Sequence, residues 1–328
     1  MRPFLLSLLL AAAPLAAGAA DRLPVVASFS ILADMTARIG GDRVAVRPLV
    51  GPDGDAHVYQ PTPADAEAVA RAGLLVVNGL GFDGWVERLA AAAHYNGPVA
   101  VASEGLAPRA FDTAEETGHD GQDAAEHDHS GDAAGRDHEQ GPADQDHAGH
   151  DHGPMDPHAW QDVANARIYA ANIARALTAA DPAGAADYAA RAADYGARLA
   201  AADAEIRALL APIPEGRRII VTSHDALGYF ARAYGLTVEA PQGLSTEAEA
   251  SAAGMGALIR QIRSEGIPAV FLENVTDPRL LERIAAETGA RIGGTLYSDA
   301  LSGPDGPAAD YIAMMVHNAR TLAESLAP

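Results

Sequence analysis

Leu23-Pro24-Val25-Val26-Ala27-Ser28-Phe29 and, further along, Val44-Ala45-Val46-Arg47-Pro48-Leu49-Val50 decide the reading of this chain. Each is a short apolar run rich in Val, the mark of a strand buried on both faces. Leu74–Asn78 and Val99–Ala102 repeat the pattern, and helical segments lie between the runs. One helix is announced by Thr62-Pro63-Ala64-Asp65, where Thr62 suits the N-cap, Pro63 the first helical position and Asp65 the positive end. The second half resumes the theme. Arg217–Ser223 and Ala269–Glu273 read as strands, and Asp277-Pro278 opens a helix that Gly289 can close. Strands alternating with helices imply parallel sheets, so the expected fold class is α/β with two Rossmann-like lobes.

Between the halves, Pro182 to Ala211 is dense in Ala, with Tyr188, Tyr195, Leu199, Ile206 and Leu210 spaced along one helical face. Unbroken, such a helix runs about 45 Å at about 1.5 Å per residue, long enough to join the lobes rigidly. The expected division is therefore an N-terminal lobe over 21–181, a linking helix over 182–211 and a C-terminal lobe over 212–328.

The chain has 328 residues and a net charge of −21, from 23 basic and 44 acidic residues; every basic residue is Arg. So acidic a surface repels nucleic acid and anionic lipid, and neither is expected as a partner. The absence of Cys removes disulfides, thiolate metal sites, Cys nucleophiles and an acylated Cys anchor. Residues 1–20 have a positive start at Arg2, an apolar run from Phe4 to Leu15 and small residues before Asp21. That is the layout of a cleavable secretory signal, since a spanning helix needs about 20 apolar residues. Export without a lipid anchor makes the periplasm the expected location.

One segment breaks the rhythm. Residues 112–152 hold thirteen Asp or Glu against a single Arg136, and seven His: His119, His127, His129, His138, His147, His150 and His152. With almost no large apolar side chain, the stretch cannot offset its ordering entropy and reads as a disordered loop. Its imidazoles suit low-affinity zinc capture; the plainer reading is a solvated tether.

Without Cys, a transition-metal site must be built from His and carboxylates. His94 reads as a surface residue near a helix end and His317 as packing in the last helix. His57 and His224 each fall just beyond the carboxyl end of an expected strand, where α/β sheets bind ligands, and His158 lies just past the acidic loop. Separations of 101 and 66 residues make no local motif, so position alone leaves a shared site open.

Four segments carry a resemblance. Gly51-Pro52-Asp53-Gly54-Asp55-Ala56-His57-Val58-Tyr59, Asp156-Pro157-His158-Ala159-Trp160, Val221-Thr222-Ser223-His224-Asp225-Ala226 and Tyr297-Ser298-Asp299-Ala300-Leu301 resemble, in order, the metal-binding signatures of the cluster A-I periplasmic solute-binding proteins. These deliver zinc or manganese to ABC transporters, and the chain looks most similar to the zinc-binding ZnuA and AztC type. The second signature departs from the family, carrying Gln161-Asp162-Val163 where relatives have Leu-Asp-Pro. The resemblance implies His57, His158, His224 and Asp299 as metal ligands in the interlobe cleft. Manganese-binding members place a carboxylate where His224 stands, so the implied cargo is Zn2+. It further implies a monomer that serves a cognate inner-membrane permease, with room for a periplasmic zinc chaperone. Glu273 and Asp225 read as capping or packing residues. A zinc hydrolase is the competing class, but four protein ligands leave no open position for water, and no His-Glu-x-x-His motif occurs. A surface adhesin is the other alternative.

Overall fold

A computed structural model describes residues 22–110, 155–247 and 250–327. The expected signal segment and acidic loop lie outside the described residues.

The N-terminal part runs β1 (Leu23–Phe29), α1 (Ser30–Gly40), β2 (Val44–Val50), α2 (Pro63–Ala70), β3 (Leu74–Val77), α3 (Trp85–Ala92) and β4 (Val99–Val101). Two long helices follow, α4 (Val163–Ala180) and α5 (Ala185–Leu210). The C-terminal part runs β5 (Ile219–Val221), α6 (Gly228–Tyr234), β6 (Thr237–Glu239), α7 (Ala252–Glu265), β7 (Ala269–Glu273), α8 (Arg279–Thr288), β8 (Arg291–Leu296) and α9 (Tyr311–Leu326).

Each part folds around a four-stranded parallel sheet, and the two sheets share one plan: β2-β1-β3-β4 and β6-β5-β7-β8. The chain is thus a two-lobed α/β protein. Both orders reverse direction beside the first strand of the lobe, which opens a crevice at the carboxyl ends.

Sequence-level expectations hold at β1, β2 and β7, whose bounds are as read. The capping box at α2 is formed: Asp65 Oδ2 accepts from Thr62 N at 2.8 Å and from Thr62 Oγ1 at 2.7 Å. Gly289 closes α8 in the left-handed region, at φ 79°. Two strands had escaped notice. β6 is only three residues long, and β8, Arg-Ile-Gly-Gly-Thr-Leu, has its apolar run diluted by glycine. Gly293 is needed there, because a Cβ would stand 2.5 Å from the Phe271 ring.

The long segment of small residues is one 26-residue helix preceded by a tight turn at Pro182–Gly184. At about 1.5 Å per residue it spans about 39 Å. Tyr188, Tyr195, Leu199, Ala202, Ile206 and Leu210 form its buried face, which packs on α1, α4 and α9. The main hydrophobic core is continuous through both lobes, joining Val25, Phe29 and Tyr169 to Phe230, Phe271 and Met314. A smaller cluster of Val221, Leu258, Ile262, Val270 and Ile284 seats α7 and α8 on the outer side of the second sheet. Among the described residues, no helix is long and apolar enough to cross a membrane.

Candidate metal centre

His57 sits in the loop that leaves β2. Its backbone N–H donates to Asp55 Oδ1 at 2.9 Å, and Trp85 Nε1 donates to the preceding carbonyl, Ala56 O, at 3.0 Å. The same loop reaches the other lobe: Asp53 N donates to Leu301 O at 2.8 Å, and Thr246 Oγ1 to Asp55 Oδ2 at 2.7 Å. His158 precedes a short turn into α4. Asn78 Nδ2 holds the Pro157 carbonyl at 3.0 Å, and Asp156 Oδ1 lies 2.8 Å from His158 Nδ1 while accepting from His158 N at 3.0 Å. Arg109 donates to the other oxygen, Oδ2, at 3.0 Å.

His224 follows β5. Glu273, the last residue of β7, accepts from Ser223 N at 2.8 Å and His224 N at 3.0 Å through Oε1, and its Oε2 lies 2.8 Å from His224 Nδ1. Asp299 comes just after β8. The carbonyl before it, Ser298 O, accepts from Trp160 Nε1 at 3.0 Å and Gln161 Nε2 at 2.6 Å, both from the opposite lobe.

These elements bring His57, His158, His224 and Asp299 together with one donor atom from each lying within 4.8 Å of the others, all four buried. Asp299 Oδ2 lies 3.2 Å from His57 Nε2 and 3.1 Å from His224 Nε2, Asp299 Oδ1 lies 3.7 Å from His158 Nε2, and the His57 and His158 Nε2 atoms are 3.4 Å apart. Burial disfavours the Asp299 carboxylate, but the neighbouring His158 and His224 prevail and hold it well below the usual range. Burial likewise opposes charge on His224, yet Glu273 and Asp299 together lift its pKa well above the ordinary imidazole value. Among the described residues this is the only such cluster of His and carboxylate groups.

His94 is exposed, in the left-handed region at φ 51°, and His317 Nε2 lies 3.2 Å from Thr295 O beside the Tyr297 ring. Neither joins the cluster. The seven His of the acidic segment lie outside the described residues. The residues behind the cluster were missed: Asp156 figured only as part of a resembling segment, Arg109 was given no role, and Glu273 was read as capping or packing. Glu273 had a signal, since it ends a strand at the same edge of the sheet that presents His224.

Residues 25–325 match the family model described as "Zinc-uptake complex component A periplasmic". The chain belongs to this ZnuA family. Among similar proteins, the iron-binding protein YfeA of Yersinia pestis is 31% identical over 305 residues, 93% of this chain and 86% of that protein. The manganese-binding lipoprotein MntA of Halalkalibacterium halodurans is 30% identical over 306 residues, 93% of this chain and 89% of that protein. The metal ABC transporter substrate-binding lipoprotein FimA of Streptococcus parasanguinis is 29% identical over 315 residues, 94% and 91% of the two chains. The periplasmic zinc-binding protein TroA of Treponema pallidum superposes with a TM-score of 0.76 at 27% identity, covering 94% of this chain and all of that one.

This ZnuA-family chain is accordingly a metal-binding substrate-binding protein of an ABC transporter, not an enzyme. Such proteins work with a membrane permease and its ATPase. The expected location, a periplasm with no lipid anchor, is corrected by the relatives: MntA and FimA are named lipoproteins. That expectation had inferred a freely diffusing protein from a missing residue type, and the anchored relatives remove the ground for it.

Proposed function

We propose that this chain captures Zn2+ through His57, His158, His224 and Asp299 and delivers it to the permease of an ABC importer. The observation that carries the reading is the donor set, three imidazoles and one carboxylate converging on one buried point. Four such donors satisfy the tetrahedral preference of Zn2+, whereas Mn2+ favours oxygen-rich sites. A tetrahedral ion with ligands at about 2.0–2.1 Å sets its donors about 3.3 Å apart. Contacts of 3.1 and 3.2 Å from Asp299 Oδ2 to His224 and His57, and of 3.4 Å between the His57 and His158 Nε2 atoms, suit that spacing.

His57 and His158 come from the N-terminal lobe, His224 and Asp299 from the C-terminal lobe. Zinc therefore bridges the lobes and favours the arrangement in which they meet, by its differential affinity for it. The long helix and the shared core restrict opening to a small rocking or to loops, and the permease reads the surface that changes.

A zinc titration against a chromophoric chelator tests this, with the parent chain, a variant lacking residues 112–151, and His224→Ala in each. One tight equivalent is expected to survive the deletion and to disappear with His224→Ala. Loss of tight binding with the deletion would move the site to the acidic segment. Parallel titrations with Mn2+ and Fe2+ address the metals named in MntA and YfeA, and tighter binding of either would overturn the choice of zinc.

A further inference from the structure

The two carboxylates behind the cluster touch their imidazoles differently. Asp156 meets His158 with a single oxygen: Oδ1 accepts from the backbone N–H at 3.0 Å and lies 2.8 Å from Nδ1, leaving Oδ2 to Arg109. Glu273 divides the work. Oε1 is held by two backbone N–H groups, Ser223 at 2.8 Å and His224 at 3.0 Å, while Oε2 alone faces His224 Nδ1 at 2.8 Å. Glu273 and His224 are both buried, at 4% and 0% exposure.

A neutral imidazole carries one proton on one of two nitrogens, and the partner of one nitrogen decides the state of the other. Nε2 of His224 points at the metal cluster, 3.1 Å from Asp299 Oδ2. It offers a lone pair to a metal only if the proton stays on Nδ1. We propose that Glu273 is the positioning residue that fixes this tautomer: Oε2, 2.8 Å from Nδ1, is the acceptor that draws the ring proton there, and the two backbone donors on Oε1 keep the carboxylate from turning. Asp156 holds the Nδ1 proton of His158 as well, but with the same oxygen that takes the backbone N–H, so an amide at that position can keep its oxygen on the ring.

An amide at each position separates the two cases. In Glu273→Gln the backbone N–H groups claim the amide oxygen, since turning the side chain over would set an NH2 against two donors. The NH2 then faces Nδ1 and donates to it, which puts the ring proton on Nε2, where metal should bind. In Asp156→Asn the amide oxygen can still face both His158 nitrogens, with the NH2 turned toward Arg109, whose side chain can shift outward.

The inference rests on the zinc reading above, and His224→Ala, run alongside, keeps the two apart. Zinc affinity is measured by chelator competition on the full chain. Second-layer changes of this kind cost about 10- to 100-fold in affinity. Glu273→Gln is expected to fall in that range or beyond it, and Asp156→Asn to lose less than about tenfold. Proton-nitrogen correlation spectra of the metal-free protein, at a pH where the ring is neutral, should place the His224 proton on Nδ1 in the parent and on Nε2 in Glu273→Gln. If the glutamine variant does not fold, Glu273→Met takes its place: it imposes no tautomer and should show both. Equal losses for the two amide variants, or the proton on Nδ1 without the carboxylate, would overturn the assignment. Should His224→Ala abolish tight binding while Glu273→Gln binds as the parent does, the tautomer role alone fails.

Discussion

His57 and His158 stand among rings, whereas His224 and Asp299 stand among backbone groups and charges. On the N-terminal side, Phe82 meets His57 edge-on at 4.9 Å, Trp160 meets His158 at 5.3 Å, and Phe29, Phe82 and Trp160 pack on one another at 4.7–5.0 Å. On the C-terminal side, Glu273 and two peptide N–H groups set His224, and the Ser298 carbonyl ahead of Asp299 is clamped by Trp160 and Gln161. Two sheets of the same strand order thus hold their imidazoles by different forces. Ring packing itself fixes position with little regard to which nitrogen holds the proton, leaving that on the N-terminal side to Asp156 beside His158, so the rings tie the site to the stability of the core. Directed polar contacts fix the proton as well, so they tie the site to affinity.

Removing a ring should therefore break the comparison most severely. Trp160 is fully buried, between Phe29, Phe82 and His158, and its indole N–H is one of the clamps on Ser298 O. Trp160→Ala is expected to cost about 3–5 kcal/mol of stability, read by urea unfolding without metal. A loss below about 1 kcal/mol would mean that the ring layer does not carry the N-terminal half of the site.

The polar side predicts a proton count. Burial lowers the pKa of His224, but Glu273 and Asp299 raise it more, so the metal-free ring holds its proton and an incoming metal ion must displace it. One displaced proton weakens apparent affinity about tenfold per pH unit of acidification, about 1.4 kcal/mol, across the range in which the metal-free ring is charged. Calorimetric titrations in buffers of differing ionisation enthalpy measure the number released; a value of zero would contradict the raised pKa.

Smaller effects sharpen the picture away from the metal. Burial would raise the pKa of Asp65, yet hydrogen bonds from Thr62 and Tyr59 and the Arg47 charge lower it. Its stabilising contribution is present above the unfolded value near 3.8 and disappears as pH falls through the lower folded value. Thr62→Ala should cost about 1 kcal/mol through the α2 cap, and Asp65→Asn should reduce the slope of stability against pH in acid. Smallest of all is Arg71→Ala at the exposed Glu67 pair, expected within about 0.5 kcal/mol of the parent by thermal unfolding.

Strands buried on both faces advertise themselves, which is why β1 and β7 were legible from their apolar runs; β2, at the sheet edge with Ala45 and Arg47 exposed, was legible from its Val and Leu residues. β6 and β8 were not, because Thr-Val-Glu holds a single apolar residue and β8 is diluted by glycine. The geometric reading placed His57 and His224 at strand ends but could not join them to His158 or Asp299 across 101 and 75 residues. Only the four resembling segments suggested that set. Asp156 and Glu273 were harder still, since a carboxylate's partner across the fold, such as Glu273 to a histidine 49 residues earlier, depends on the sheet order and not on spacing.

The join at Arg109 and Asp156 has a consequence for engineering. Asp156 N donates to Arg109 O at 2.9 Å, and Ala110 and Met155 face each other as an antiparallel bridge, so a chain leaving at one point returns at the next. Closed ends of this kind tolerate replacement of whatever lies between them. A circularly permuted fluorescent domain spliced between Ala110 and Met155 would be rooted next to Arg109 on one side, and one residue from Asp156 and three from His158 on the other. The frame would then report its own cargo as light, with the transducer attached beside the residues that hold His158.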